Sequence, residues 1–230
     1  MIDLNVLARV PLFGGLSSEE LELVAAKAVR REHDRGAVIF FEHEPGDAMY
    51  IIEEGQVRIY RVAEDGREKT LALLSEGDFF GEMALIDDEP RSAIAEATEP
   101  CVLLAIHKRD VHSLIQANPS IALSMIQGLS RRLRETNKQL MDAVFLDVRG
   151  RVLRLLLDLD RRYGRPCAEG RLIDIRLTHQ ELANMVGTSR ESVTRVLTEL
   201  QDVGALGYAQ RHRMWIDRRS LEEYMEQVGA

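Results

Sequence analysis

With 230 residues, 45% of them apolar, the chain has room for two ordinary domains with real cores, and its 30% charged content without any proline-, serine- or glycine-biased tract excludes a disordered tail. No apolar run approaches the roughly 20 residues of a membrane helix, and the start MIDLNVLARV lacks a basic segment followed by a hydrophobic one, so the default location is the cytoplasm. Cys101 and Cys167 stand far apart outside any C-x-x-C spacing, which argues against a disulfide framework and against a cysteine-only metal or iron–sulfur site.

The formal net charge of −8 is unevenly placed. Residues 1–118 carry 12 Lys+Arg against 23 Asp+Glu, whereas residues 148–230 carry 14 against 12, and those 14 cations are all Arg. Arginine favours bidentate contacts with bases and phosphates, although Lys is scarce throughout the chain and composition alone accounts for the count.

From Leu16 to Arg31 apolar residues recur at helical spacing behind Ser17 or Ser18 as N-cap. Between Ala37 and Lys108 the texture changes to short runs rich in Val, Ile, Tyr and Phe (AVIFFE, AMYIIEEG, QVRIYRV, TLALLSEG, SAIAEA, CVLLAI), broken by Pro45-Gly46-Asp47, Gly55, Asp65-Gly66 and Gly77-Asp78. This predicts an antiparallel all-β unit, a small barrel or roll.

After Asn118-Pro119 the helical period returns. Ile126, Leu129, Leu133, Thr136, Leu140 and Ala143 alternate steps of three and four, a heptad a/d register. Such a stripe fits a partner helix, most simply its own copy in a twofold dimer, or else packing on its own domain. Thr136 is a polar break in that seam. Past Asp147, taken as the domain boundary, come the helical GRVLRLLLDLDRRYG, a strand-like RLIDIRL, two helices and a final GYAQRHRMWID that reads as a β-hairpin.

LTHQELANMVGTSRESVTRVLTEL, Leu177 to Leu200, has the anatomy of a helix-turn-helix. Thr178 and Glu181 make a capping box, Gly187 permits the sharp turn, and Ser189 caps the second helix. Val193, Val196, Leu197 and Leu200 gather on one side of that helix, and Arg190, Glu191, Thr194 and Arg195 on the other. A charged face is often merely solvated. Here Arg190 and Arg195 can each chelate a guanine edge, and Glu191, which phosphates repel, makes sense at a major groove as an acceptor from cytosine N4. Thr178 and Gln180 would reach backbone phosphates, and double-stranded DNA is the implied partner.

FGEMALIDDEPRSA, Phe80 to Ala93, sets a lone Arg91 beside Gly81-Glu82 across an acidic loop. GEMAL can form a short helix at a strand end whose first N–H groups suit one anion, and Arg91 with Ser92 would add a charged fork and a hydroxyl to the same phosphate. Glu82 then needs a donor, such as a ribose hydroxyl. Taken alone, these residues also fit a surface Glu–Arg pair over a solvated loop, Asp87-Asp88-Glu89.

The order GD.MYII..G, FGEMAL....PRSA, RRLRETN, FLDVRGR and SRESVTRVL resembles the cyclic-AMP receptor protein (CRP/FNR) superfamily of bacterial transcription regulators over nearly the whole chain. The resemblance implies an α+β chain: an N-terminal β-roll cyclic-nucleotide-binding domain (1–118), a long dimerisation helix (119–146) and a C-terminal winged helix-turn-helix DNA-binding domain (147–230). By matching position, Gly81, Glu82, Met83, Arg91 and Ser92 fall at the phosphate and ribose contacts, and Thr136 and Asn137 where the dimer helix touches adenine. Thr178, Gln180 and Ser189 fall at the DNA-facing end, while Arg190, Glu191 and Arg195 match the base-reading residues of members that recognise a TGTGA half-site. Asn137 and His179 depart from the best-known member, which has Ser and a basic residue there.

The implied function is a homodimeric regulator that binds palindromic DNA under the control of cyclic AMP, with cyclic GMP, another nucleotide or no effector as the alternative. RNA polymerase is a further expected partner, with no surface for it legible in the sequence. No metal is expected, since His33, His43, His107 and His112 lack ligand spacing, and no enzyme is expected, since no nucleophile–base pair or phosphate-transfer loop is present.

Overall fold

The computed structural model describes residues 4–209 and 213–228. By internal contacts the chain divides into two units, Met1–Arg61 with Leu71–Glu135, and Val62–Thr70 with Thr136–Ala230. The turn between two strands of the roll therefore groups with the second unit.

In the first unit α1 (Leu4–Arg9) and a 3-10 turn (Pro11–Phe13) precede α2 (Ser18–Lys27), whose N-terminus carries a full capping box between Ser17 and Glu20. The expected helix stops at Lys27 rather than Arg31. Ala28–His33 is instead a strand, β1, paired antiparallel with Cys101–His107 from Ala28↔Ile106 to His33↔Cys101. Long-range pairing decides this segment, because its middle residues are exposed and give no periodic signal.

The expected runs become β2 (Val38–Phe40), β3 (Ala48–Glu54), β4 (Val57–Val62), β5 (Glu68–Leu74), β7 (Ile94–Ala97) and β8 (Cys101–His107). A two-residue β6 (Phe79–Phe80) and the single-turn α3 (Met83–Ile86) lie between β5 and β7. Two four-stranded sheets result, ordered β1-β8-β3-β6 and β2-β7-β4-β5. Alternation along β3 and β8 puts Tyr50, Ile52, Leu103 and Ala105 into a core with Val57, Leu74, Phe80 and Ala95. Met49, Ile51, Leu104 and Ile106 face the other way and pack under Leu7, Phe13, Val24, Ile121 and Met125. Full burial of each such side chain contributes about 1.5–3 kcal/mol.

After α4 (Lys108–Ala117), which the sequence reading leaves out, α5 runs unbroken from Ser120 to Phe145. Its Ile121, Met125 and Gly128 are buried, and a Cβ on Gly128 would stand 2.7 Å from the Phe79 ring, so glycine is what lets the helix close on β6.

In the second unit Asp147 caps α6 (Val148–Tyr163) by accepting from Gly150 N at 2.8 Å. Then follow β9 (Gly164–Cys167), β10 (Gly170–Ile173), α7 (His179–Val186), α8 (Arg190–Asp202), β11 (Leu206–Tyr208), β12 (Met214–Ile216) and α9 (Arg218–Val228). The sheet is ordered β11-β12-β10-β9, and Leu153, Leu156, Ile173, Leu182, Val193, Leu197, Leu200, Ile216 and Leu221 form its core with the helices. The expected terminal hairpin is β11 with β12, its tip lying outside the described residues. Within this unit Lys69 Nζ donates to Met185 O, and Asn184 Nδ2 donates to Glu68 at 2.9 Å.

Candidate nucleotide pocket and nucleic-acid interface

Arg91 is only 4% exposed. Its Nη1 donates to Gly81 O and its Nη2 to Ala48 O, each at 2.7 Å, and its guanidinium lies 4.2 Å from the centroid of the Phe40 ring. Its Nε is buried with no partner. Burial pushes the guanidinium's pKa down, opposed by Tyr50, Asp47, Glu82 and Glu44. Two glycines make room for it. A Cβ on Gly46 would meet Arg91 Cζ at 2.8 Å, and one on Gly81, whose φ is +78°, would meet Nη1 at 2.7 Å. A desolvated cation with an unsatisfied donor is chemically suited to an anion with several acceptor oxygens.

Glu82, 2% exposed, follows Gly81 after β6 and precedes α3, whose Leu85 and Ile86 N–H groups return to Glu82 O at 3.0 and 3.2 Å. Its carboxylate Oε1 accepts from Arg132 Nη1 at 2.7 Å, and Arg132 also donates to Phe79 O. Met83 and Ser92 are exposed, with Ser92 Oγ 3.7 Å from Met83 Sδ. The structure thus brings together Gly81, Glu82, Met83, Arg91 and Ser92. It adds Arg132, which the sequence reading does not single out within RRLRETN. Thr136 and Asn137 stand exposed on α5, within the second unit.

Along α5 the expected seam residues Ile126, Leu133 and Leu140 are each more than half exposed, and Leu123, Met141, Val144 and Phe145 continue the apolar surface. Leu129 is partly covered; Ala143 is exposed.

In the helix-turn-helix every expected cap is present. Thr178 and Glu181 form the capping box, Gly187 takes the left-handed conformation at φ +78°, and Ser189 accepts from Ser192 N at 3.2 Å. Thr178 Oγ1 both accepts from Glu181 N and donates to its carboxylate, so this hydroxyl serves the helix, and Gln180 Nε2 donates to Asn184 at 2.8 Å. Arg190, Glu191 and Arg195 are exposed on α8, opposite buried Val193, Val196, Leu197 and Leu200. The Glu191 carboxyl is held below its usual range by its own backbone N–H, the Ser189 hydroxyl and Arg190. His179 Nδ1 lies 2.8 Å from Thr194 Oγ1 and its Nε2 2.9 Å from the Tyr208 hydroxyl. Thr178, His179, Gln180 and Arg190 line a recess of about 450 Å³.

Sequence models of two families match this chain: the cyclic nucleotide-binding domain over residues 30–118, and the Crp-like helix-turn-helix domain over residues 150–224. The cyclic AMP receptor protein of Thermus thermophilus is 42% identical over 196 residues, 85% of this chain and 88% of that protein. The chain belongs to the CRP/FNR family. It is a transcription regulator that joins a cyclic nucleotide-binding β domain, a long helix and a DNA-binding helix-turn-helix. The CRP-like cAMP-activated global transcriptional regulator of Mycobacterium tuberculosis is 35% identical over 212 residues, 92% of this chain and 90% of the relative. Among solved structures, the c-di-GMP-responsive global regulator CLP of Xanthomonas campestris superposes with a TM-score of 0.77 at 30% identity, covering 87% of this chain and 99% of that one. Among the described residues no helix is long and apolar enough to cross a membrane, and no group of three or more His, Cys, Asp or Glu is placed to hold a metal ion.

Proposed function

We propose that the chain is a cytoplasmic homodimeric transcription regulator switched by cyclic AMP, and that it binds a palindromic operator of TGTGA type. The observation that carries the effector reading is Arg91: a buried guanidinium with an unpartnered Nε, beside a carboxylate, in a domain of the cyclic nucleotide-binding family. Arg91 and Ser92 would take the cyclic phosphate. Glu82 accepts from Arg132 at one oxygen, and a ribose hydroxyl would use its other. Thr136 and Asn137, in the register of the exposed seam of α5, would meet the adenine, which gives the polar break in that seam a purpose.

The dimer reading is supported by the apolar row on α5, which a second copy would cover. Two copies of α8 would then meet successive major grooves about 34 Å apart, with Arg190, Glu191 and Arg195 at base edges and Thr178, Gln180 and Ser189 near phosphates. A ligand that favours one arrangement of the dimer by roughly 1–3 kcal/mol raises operator affinity about 5- to 150-fold. RNA polymerase is the further partner this reading implies. The relatives are transcription regulators, and we assign no enzymatic step.

A second effector deserves a direct comparison, because the structural relative CLP responds to c-di-GMP. Operator affinity measured without ligand and with cyclic AMP, cyclic GMP or c-di-GMP tests the proposal. Cyclic AMP alone should raise it. Equal affinity in all arms would refute ligand switching, and a response confined to another nucleotide would reassign the effector.

A further inference from the structure

The site is the joint where α7, α8 and β11 meet, and the inference rests on the DNA-binding reading of this unit. Thr194 Oγ1 donates to Arg190 O at 2.9 Å, one turn back on α8, so its hydrogen is engaged and it can only accept from His179. That fixes the imidazole tautomer. Nδ1 carries the proton, Nε2 is bare, and Nε2 accepts from the Tyr208 hydroxyl 2.9 Å away. One directed chain of hydrogen bonds thus runs from the wing strand through the first residue of α7 to the helix that faces the bases.

The charges around His179 favour its neutral form. From α8 the charge it feels is Arg190, which repels a second cation; from β11 its titratable partner is Tyr208, itself kept protonated by burial. On α7 the nearby carboxylate, Glu181, is folded back on Thr178. Burial and Arg190 hold the imidazole below its usual range, so the free protein carries it uncharged at neutral pH. The recess lined by Thr178, His179, Gln180 and Arg190 opens beside it.

We propose that His179 takes up a proton as a DNA phosphate enters this recess, and that this turns the Tyr208 hydroxyl from the imidazole to the DNA backbone. The step balances: one proton from solvent goes to Nε2, the new N–H donates to Tyr208 Oη, and the phenolic O–H, no longer accepted by Nε2, donates to a phosphate oxygen. Tyr208 is 41% exposed, so its hydroxyl has a path outward. His179 is a positioning residue that makes DNA affinity proton-linked.

The sign follows from linkage. A group whose pKa is lower in the free protein than in the complex binds a proton on association, so affinity rises as pH falls from the complex's pKa towards the free protein's, by up to about tenfold per pH unit. The test is operator affinity of the full chain with cyclic AMP, at fixed salt, between about pH 5.5 and pH 8.5. Probes are a TGTGA palindrome and an unrelated duplex, with the wild type, H179Q and Y208F compared. The wild type should gain affinity on acidification, H179Q should be flat, and Y208F should keep the proton uptake but gain less. NMR titration of the wild type, with the His179 ring signal assigned by its loss in H179Q, should give a higher pKa in the complex than in the free protein, and it reads the proposal even where H179Q folds poorly. Equal pH slopes in wild type and H179Q, or an unchanged ring pKa on DNA binding, would overturn this inference alone. Failure of the wild type to bind either duplex at any pH would overturn the DNA-binding reading and this inference with it.

Discussion

Arg132 on α5 holds Glu82, the residue that precedes α3, through a 2.7 Å contact between Nη1 and Oε1, while its other terminal nitrogen binds Phe79 O. Glu82 is 2% exposed, so its carboxylate depends on that partner; Arg132 is about a third exposed. Truncating the cation therefore strands a buried charge, at a cost below the 3–5 kcal/mol of a fully buried pair. We expect R132Q to lower unfolding free energy by about 1.5–3 kcal/mol in urea denaturation. The double variant R132Q/E82Q should recover part of the loss, because an amide tolerates the site without a counter-charge. A single variant as stable as the wild type would mean the pair is dispensable.

The Arg91 cradle makes a second prediction, away from the arginine itself. Gly81 adopts φ +78°, and a Cβ there would lie 2.7 Å from Arg91 Nη1. G81A should cost about 1–2 kcal/mol in stability from the left-handed backbone alone. It should also displace the guanidinium, so nucleotide affinity measured by calorimetry should fall. R91K should fold, yet lose most affinity, since one ammonium cannot reproduce a fork that holds two carbonyls and, in the proposed pocket, would also take a phosphate. Full affinity in R91K would show that a point charge suffices and would weaken the pocket assignment.

The apolar row on α5 predicts the assembly. Leu133 and Leu140 are each 61% exposed, so replacing them removes little from the fold of the single chain. In a twofold seam each L133A change is made twice, and losing about 1.5–3 kcal/mol per buried leucine should weaken the dimer roughly 100-fold or more. Sedimentation at micromolar concentration should show monomer appearing, with the circular-dichroism spectrum unchanged. An L133A protein that stays dimeric at every dilution would place the interface elsewhere.

How much of this was legible beforehand depended on how local the signal was. The helix-turn-helix could be read because Thr178, Glu181, Gly187 and Ser189 mark both helix ends within a few residues of each other, and the strands of the roll because Ala48–Ile52 of β3 and Cys101–Ile106 of β8 are runs of apolar residues. Residues 28–31 extend the helical spacing in the sequence, and only the pairing of 28–33 with 101–107 makes them a strand. Arg132 lies 50 residues from Glu82 in the chain, and nothing in RRLRETN reveals which arginine turns inward. The helix α9 carries a local signal that the expected terminal hairpin does not include: Asp217 accepts from Ser220 N at 3.0 Å, a capping spacing, ahead of Leu221, Tyr224 and Met225.

Glu191 offers the sharpest test of base reading, because a carboxylate turned towards DNA must either meet a base donor or be repelled. It is exposed in the first turn of α8, and the hydrogen bonds that lower its pKa keep it ionised across the physiological range. Phosphates repel it, so its only favourable partner at a major groove is a base donor such as cytosine N4. In E191A the affinity for an unrelated duplex should hold or rise, while discrimination at one base pair of each half-site should fall by about tenfold or more. Competition binding against operators substituted at each position separates these effects. Relaxation at a single position supports direct readout, and a uniform loss across all sequences would mean that Glu191 only organises the helix end.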